Sequence, residues 1–208
     1  YHQHRFGDDY SVNSMVSVLY GDYDTVRKNY DTTGGYGPQS KAGFSSYGGM
    51  LGANIAKRFS LEEATSVTPS AGLTYTHIRQ DDIKESQGGV NYDYHIDSAD
   101  ADSVVLGIGA DLTHTIGLES SIVVLDFRAR YEYDAYANNN STHDIKAGLA
   151  GQQKETFVGQ NRGEHGLIVG AGVEGRISES MTLGGGYVYS ARSEGHDSSI
   201  GANFTYFW

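Results

Sequence analysis

The sequence predicts an all-β chain that folds as an antiparallel transmembrane outer-membrane β-barrel. Three observations predict it. Stretches of strand length alternate apolar and polar residues with a period of two, which puts each set on its own face of a strand. The connections between them alternate between short and long, as the turns and loops of such barrels do. The last stretch sets Ile200, Ala202, Phe204, Tyr206 and Trp208 on one face, and an apolar face ending in aromatics suits lipid and its interface.

The elements follow in order. Residues 1–6 are too short to classify; His2 and His4 could hold a metal but read as solvated. Gly7 to Asp9 is a turn. Ser11 to about Asp24 is a strand with Val12, Val16, Val18 and Tyr20 on one face and Asn13 and Ser17 on the other. Arg27 to Lys41 reads as a Gly-rich loop. The next strand, about Gly43 to Phe59, sets Leu51, Ala53, Ile55 and Phe59 against Gly52, Asn54 and Arg58. Ser60 to Thr65 is a short connection with a partial helical turn.

Beyond Val67, the residues Ala71, Leu73 and Tyr75 oppose Gly72, Thr74 and Thr76. Asp82 to Asp102 is a polar loop with a strand extension at Val90 to Ile96. Ser103 to Thr115 sets Val104, Leu106, Ile108, Ala110 and Leu112 against Gly107, Gly109, Asp111 and Thr113. Ser120 to Asp134 carries Val123, Leu125, Phe127, Ala129, Tyr131 and Tyr133 on one face, and Asp126, Arg128, Arg130 and Glu132 on the other. A barrel accounts for both faces, with lipid outside and a wet, charged lumen inside.

Tyr136 to Glu164 reads as an extended hairpin projecting from the barrel, because its alternating pieces are shorter than the ~9–11 residues a tilted membrane strand needs. Gly166 to Ile177 points Leu167, Val169, Ala171 and Val173 outward and Gly170, Gly172, Glu174 and Arg176 inward. Met181 to Ala191 points Leu183, Gly185, Tyr187 and Tyr189 outward. Arg192 to Asp197 is a loop. Eight spans result, and with this alternation of connections the C-terminus falls on the periplasmic side.

Composition agrees. The 208 residues include 28 Gly and 16 Tyr but only two Pro and no Cys, so ladders run uninterrupted and neither disulfides nor thiolate metal sites exist. The net charge of −11 disfavours nucleic acid as a partner. No apolar run approaches the ~18 residues of a membrane helix, and no signal peptide opens the sequence.

Several stretches together resemble the translocator (β) domain of classical autotransporters, the type V secretion family. They are GANIAKRFS (Gly52–Ser60), SVTPSAGLTYTHI (Ser66–Ile78), SVVLGIGADLTH (Ser103–His114), GLIVGAGVEGRISESMTLGGGYVYS (Gly166–Ser190) and the aromatic last strand. The resemblance implies a barrel of about twelve strands with a linker helix in its pore. This chain offers eight or nine strands and no helical segment before the first. Residues 1–208 therefore read as a single translocator domain lacking the passenger, linker helix and first strands, or as a smaller relative closing on fewer strands. An eight-stranded barrel has its interior filled by side chains, which would bar a passenger.

The family implies anchoring in the outer membrane and secretion of the chain's own passenger to the cell surface. Its expected partners are outer-membrane lipid, that passenger, and the barrel-assembly machinery through Phe204, Tyr206 and Trp208. Asp126, Arg128, Arg130, Glu132, Glu174 and Arg176 are the candidate lumen residues, lining a translocation pore or forming an ion-pair network. By position, the hairpin at Asp144 to Gln160 matches an external loop the family uses in translocation.

Other readings stay open. Asp81-Asp82 and His143-Asp144 supply the residue types of an omptin-like surface protease, although the omptins' Trp-rich pattern is missing. A stand-alone barrel could act as an adhesin. The Asp97 to Asp102 run could bind Ca²⁺ through alternating oxygens but lacks the glycine and distal glutamate of an EF-hand loop. A soluble β-sandwich also alternates. No enzyme activity, cofactor or metal is expected.

Overall fold

The computed structural model describes residues 2–7, 9–30, 34–118, 121–137, 145–157 and 163–206. All regular structure in them is β: β1 (His2–Phe6), β2 (Tyr10–Tyr30), β3 (Tyr36–Lys57), β4 (Phe59–Glu62), β5 (Thr65–Gln80), β6 (Ile83–Lys84), β7 (Tyr94–Ile96), β8 (Ala99–Gly117), β9 (Ile122–Asp134), β10 (Ile145–Leu149), β11 (Glu155–Phe157), β12 (His165–Ser178), β13 (Met181–Arg192) and β14 (Gly195–Tyr206). The long strands form one curled antiparallel sheet in the order β1-β2-β3-β5-β8-β9-β12-β13-β14, with β4 also on β5. The eight spans β2, β3, β5, β8, β9, β12, β13 and β14 match the sequence reading.

Among the described residues β14 and β1 do not pair with each other, so the sheet is an open arc with two edges. The alternative of a small barrel closed on these eight spans is not what the pairing shows.

Register settles which residues share a face. Tyr131 lies opposite Ile108 and Leu167, while Arg130 lies opposite Gly109 and Ile168. The face of Tyr131 carries Leu73, Leu106, Ile108, Phe127, Leu167, Val173 and Tyr187, all large and all exposed. The only buried apolar residues among those described are Ala42, Ala56 and Ala137. A soluble sandwich would gather its large aliphatic and aromatic side chains into a dry interior. Here they point away from the molecule instead, which overturns the sandwich reading.

Each large apolar side chain gains roughly 1.5–3 kcal/mol on leaving water, so the outer face as a whole requires an apolar solvent. Its height fits one. The run from Val123 to Tyr133 on β9 advances about 33 Å at ~3.3 Å per residue, and at a strand tilt of ~40° rises about 25 Å, the apolar band of an outer-membrane barrel.

Four local readings need correction. Most of Arg27 to Lys41 is strand and not loop: β2 runs on to Tyr30 and β3 begins at Tyr36, with Arg27 opposite Ser40 and Tyr30 opposite Tyr36. The Gly-rich composition reads as irregular, but antiparallel partners complete the ladder. Residues 60–62 form no helical turn; β4 prolongs β3 along β5. The Asp82 to Asp102 loop is shorter than read, because β8 starts at Ala99 and pairs with Gln80. The connection after β13 is a tight turn, since Arg192 pairs directly with Gly195.

The inserted segments build a second sheet of order β11-β10-β7-β6. A bridge between Lys41 and Ser86 ties it to β3. β6 follows β5 in the chain, β7 precedes β8, β10 follows β9 and β11 precedes β12. The small sheet thus repeats the strand order of the large one and forms a second tier on its long-loop side. The projecting hairpin of the sequence reading is β10 and β11, and β10 pairs with β7 within this tier.

Candidate functional site

The polar face of the sheet is built from alternation alone. On β9 the residues Asp126, Arg128, Arg130 and Glu132 lie opposite Thr113, Asp111, Gly109 and Gly107 of β8. Across the other edge of β9 stand Gly172, Gly170, Ile168 and Gly166 of β12. Glu174 and Arg176 of β12 lie opposite Val124 and Ile122, on the same face. All six predicted charged residues therefore share one wall.

They are not equivalent. Arg128 donates from Nε to Asp111 Oδ1 at 2.6 Å. Thr113 Oγ1 donates to Asp126 at 2.9 Å. Arg192 Nη2 donates to Glu132 Oε2 at 2.5 Å. Arg130 Nε sits 3.2 Å from Glu132 Oε1 but off the line a hydrogen bond needs, leaving an ion contact with Nε otherwise unpaired. Arg176 turns to the backbone oxygens of Ser178 and Glu179 at the short-turn end.

Arg192 is the member that sequence reading missed. Its polar neighbours Ser193 and Glu194 read as loop, yet counting inward positions along β13 (Val188, Ser190, Arg192) puts it on this wall. Asp111, on the polar face of β8, joins the same charges.

Glycine shapes the wall. A methyl at Gly107 would run into the Arg130 guanidinium, so the missing side chain is what lets Arg130 lie flat across β8. Gly170, Gly172 and Gly186 floor a recess of about 410 Å³ whose charged sides are Asp111, Asp126 and Arg128. Its floor is mostly apolar atoms of the glycines, Ala171, Tyr187 and Val188, and the charges at its sides are set against one another. Paired charges of this kind can line a water-filled passage.

A second polar cluster sits at the long-loop rim. Arg27, on the polar face of the β2 extension, donates to Glu85 at 3.0 Å through Nε and 2.5 Å through Nη2, and also to the Tyr92 carbonyl. Its guanidinium lies 4.8 Å from the centre of the Tyr94 ring. Asn29 donates to the Pro38 carbonyl at 2.7 Å and to Ser40 Oγ at 2.9 Å. The Asp93 carboxylate accepts from the Gly88 and Gly89 amides at 2.9 and 2.8 Å. Asn29, Ser40 and Asp93 are buried, rare for polar groups unless all are satisfied.

The remaining candidates are scattered. Asp82 pairs with Lys84; His143 and Asp144, the other half of a protease-like set, lie outside the described residues. Asp97 pairs with Lys154, and Asp102 accepts from Tyr75 Oη at 2.7 Å and faces His77 Nδ1 at 3.0 Å. The Asp97 to Asp102 run therefore turns its oxygens to separate partners, and among the described residues no three ligating side chains converge. His2 and His4 stack at 6.4 Å. Phe204 and Tyr206 are on the outward face of β14, opposite Leu183 and Met181; Trp208 lies outside the described residues.

A protein-family model described as the autotransporter beta-domain matches residues 1–188. No curated protein matches the chain.

Proposed function

The chain belongs to the autotransporter β-domain family of outer-membrane translocators, and on that premise we propose that its polar wall lines the conduit through which its own passenger reaches the cell surface. One observation carries the reading: a membrane-height apolar face backed by a polar wall on which Arg128 pairs with Asp111, and Arg130 and Arg192 with Glu132, beside a glycine floor. Asp126, Arg128, Arg130, Glu132, Glu174 and Arg176, with Asp111 and Arg192, are the groups that keep this passage hydrated. Pairing within the wall limits how strongly any one charge holds a passing segment, since an exposed ion pair contributes only about 0–1 kcal/mol.

Phe204 and Tyr206, with Trp208, would serve as the signal read by the barrel-assembly machinery, and the short turns would face the periplasm. An epitope tag placed in the passenger of the full-length protein tests the translocation. In intact cells the tag should become accessible to external protease. A barrel that inserts normally while the tag stays shielded would overturn the proposal. Exchanging Phe204 and Tyr206 for Asp should deplete the protein from the outer membrane. Unchanged insertion of that pair would remove the assembly role and leave the conduit standing.

A further inference from the structure

We propose that residues 86–93 form a latch on the inner side of the rim, fastened by Arg27, and that the latch opens independently of the membrane-spanning sheet. Its position follows from register. Asn13 of β2 pairs with Asn54, Asn54 with Gly72, Gly72 with Gly107, and Gly107 with Glu132. Arg27 and Ser40 are an even number of residues from Asn13 and Asn54 along the same uninterrupted ladder and pair with each other, so they stand on the wall of Glu132. Residues 86–93 fold onto that side rather than outward.

The fit is close. A methyl at Gly88 would collide with Ser40 Oγ and Asp93 Oδ1 and come within 3.2 Å of Asn29 Nδ2. The backbone of the segment is therefore pressed against the wall. Arg27 spans it, holding Glu85 at one end and the Tyr92 carbonyl at the other. Beyond the segment, the small tier continues through β7 to β10 and β11.

Opposing forces make this a latch and not a fixed wall. Gln87 has φ of 76°, a left-handed conformation that costs a non-glycine residue of order 1 kcal/mol or more. Apart from the Arg27 and Ser40 side chains, the large sheet holds the segment by a single bridge with its two backbone hydrogen bonds between Lys41 and Ser86. Closed, the latch covers the inner face of the β2–β3 extension; open, that face joins the passage. The role of the opening rests on the conduit reading, but the opening itself does not.

Hydrogen exchange on the full chain in its lipid or detergent-bound form tests the latch. Arg27→Ala and Gly88→Ala remove the fastening by different routes, one by deleting the cation and one by wedging the backbone away. Both should speed amide exchange in residues 86–93 and β7 by about tenfold or more and leave β9 and β12 unchanged. Arg27→Lys, which keeps the charge but not the planar fork, should fall between. Exchange within about twofold of the parent chain in both variants would overturn the proposal, as would equal acceleration in β9 and β12. Exchange is read whether or not a passenger is carried, so failed secretion beside an opening latch would sink the conduit alone.

Discussion

The hydrogen bond from Arg27 holds the Glu85 carboxyl below its usual value, against the upward push of burial and with help from the Tyr94 amide. For Asp93 burial is the largest influence and pushes upward, but the Ser40 hydroxyl and the Gly89 and Gly88 amides together outweigh it. Both folded-state values are depressed, so their stabilisation is complete above the ordinary carboxylate range, about pH 4 to 4.5. It is lost as pH falls through the folded values. The Gly88 and Gly89 amide resonances should therefore titrate with midpoints below that range. A midpoint at or above it would contradict the geometry. At the neighbouring position, Gln87→Gly relieves the left-handed strain and should slow exchange in residues 86–93 severalfold. These contacts were not legible in the sequence, because Arg27 and Glu85 are 58 positions apart and neither belongs to a motif.

At the scale of elements, alternation was enough to find all eight spans and to sort their faces, because a strand one residue out of register would turn its whole apolar set into the passage. Ile108 sits mid-run on the outward face of β8 and Thr113 on the inward face. Ile108→Arg should destabilise the inserted sheet by about 2–4 kcal/mol, whereas Thr113→Arg, which points into water, should cost far less. Denaturant titration of refolded protein in lipid measures both, and equal costs would contradict the assigned faces. Strand length was harder to read. β3 opens with Gly37 and Pro38, and Gly34 and Gly35 stand just ahead of it, residues that individually disfavour strand. Pairing across the hairpin and the Asn29–Ser40 bond override them. β6 and β7 are too short for any periodicity to show.

At the scale of the molecule, the open arc sets a requirement. Among the described residues β14 presents a free edge along its length, and β1 covers β2 only from Tyr10 to Ser14. In hydrocarbon each unsatisfied backbone group costs several kcal/mol, so further strands must cover both edges in the inserted state. Mass measurement of the inserted species would show whether these come from the same polypeptide or another copy. An inserted species with the mass of a single copy of residues 1–208 and nothing more would contradict the requirement. The eight long spans of the sheet were legible, but the short β1 and β4 and the failure of the sheet to close on itself were not, since pairing between first and last strands leaves no mark in local alternation.

The tier that repeats the strand order beneath it has a consequence for how such a molecule can vary. Girth is fixed by how many spans stand side by side, and stature by how far each hairpin climbs before turning back. The β2–β3 hairpin, already 21 and 22 residues to a side, could gain or lose residue pairs in matched steps and bring the rim nearer to or farther from the bilayer while the number of spans side by side stayed the same.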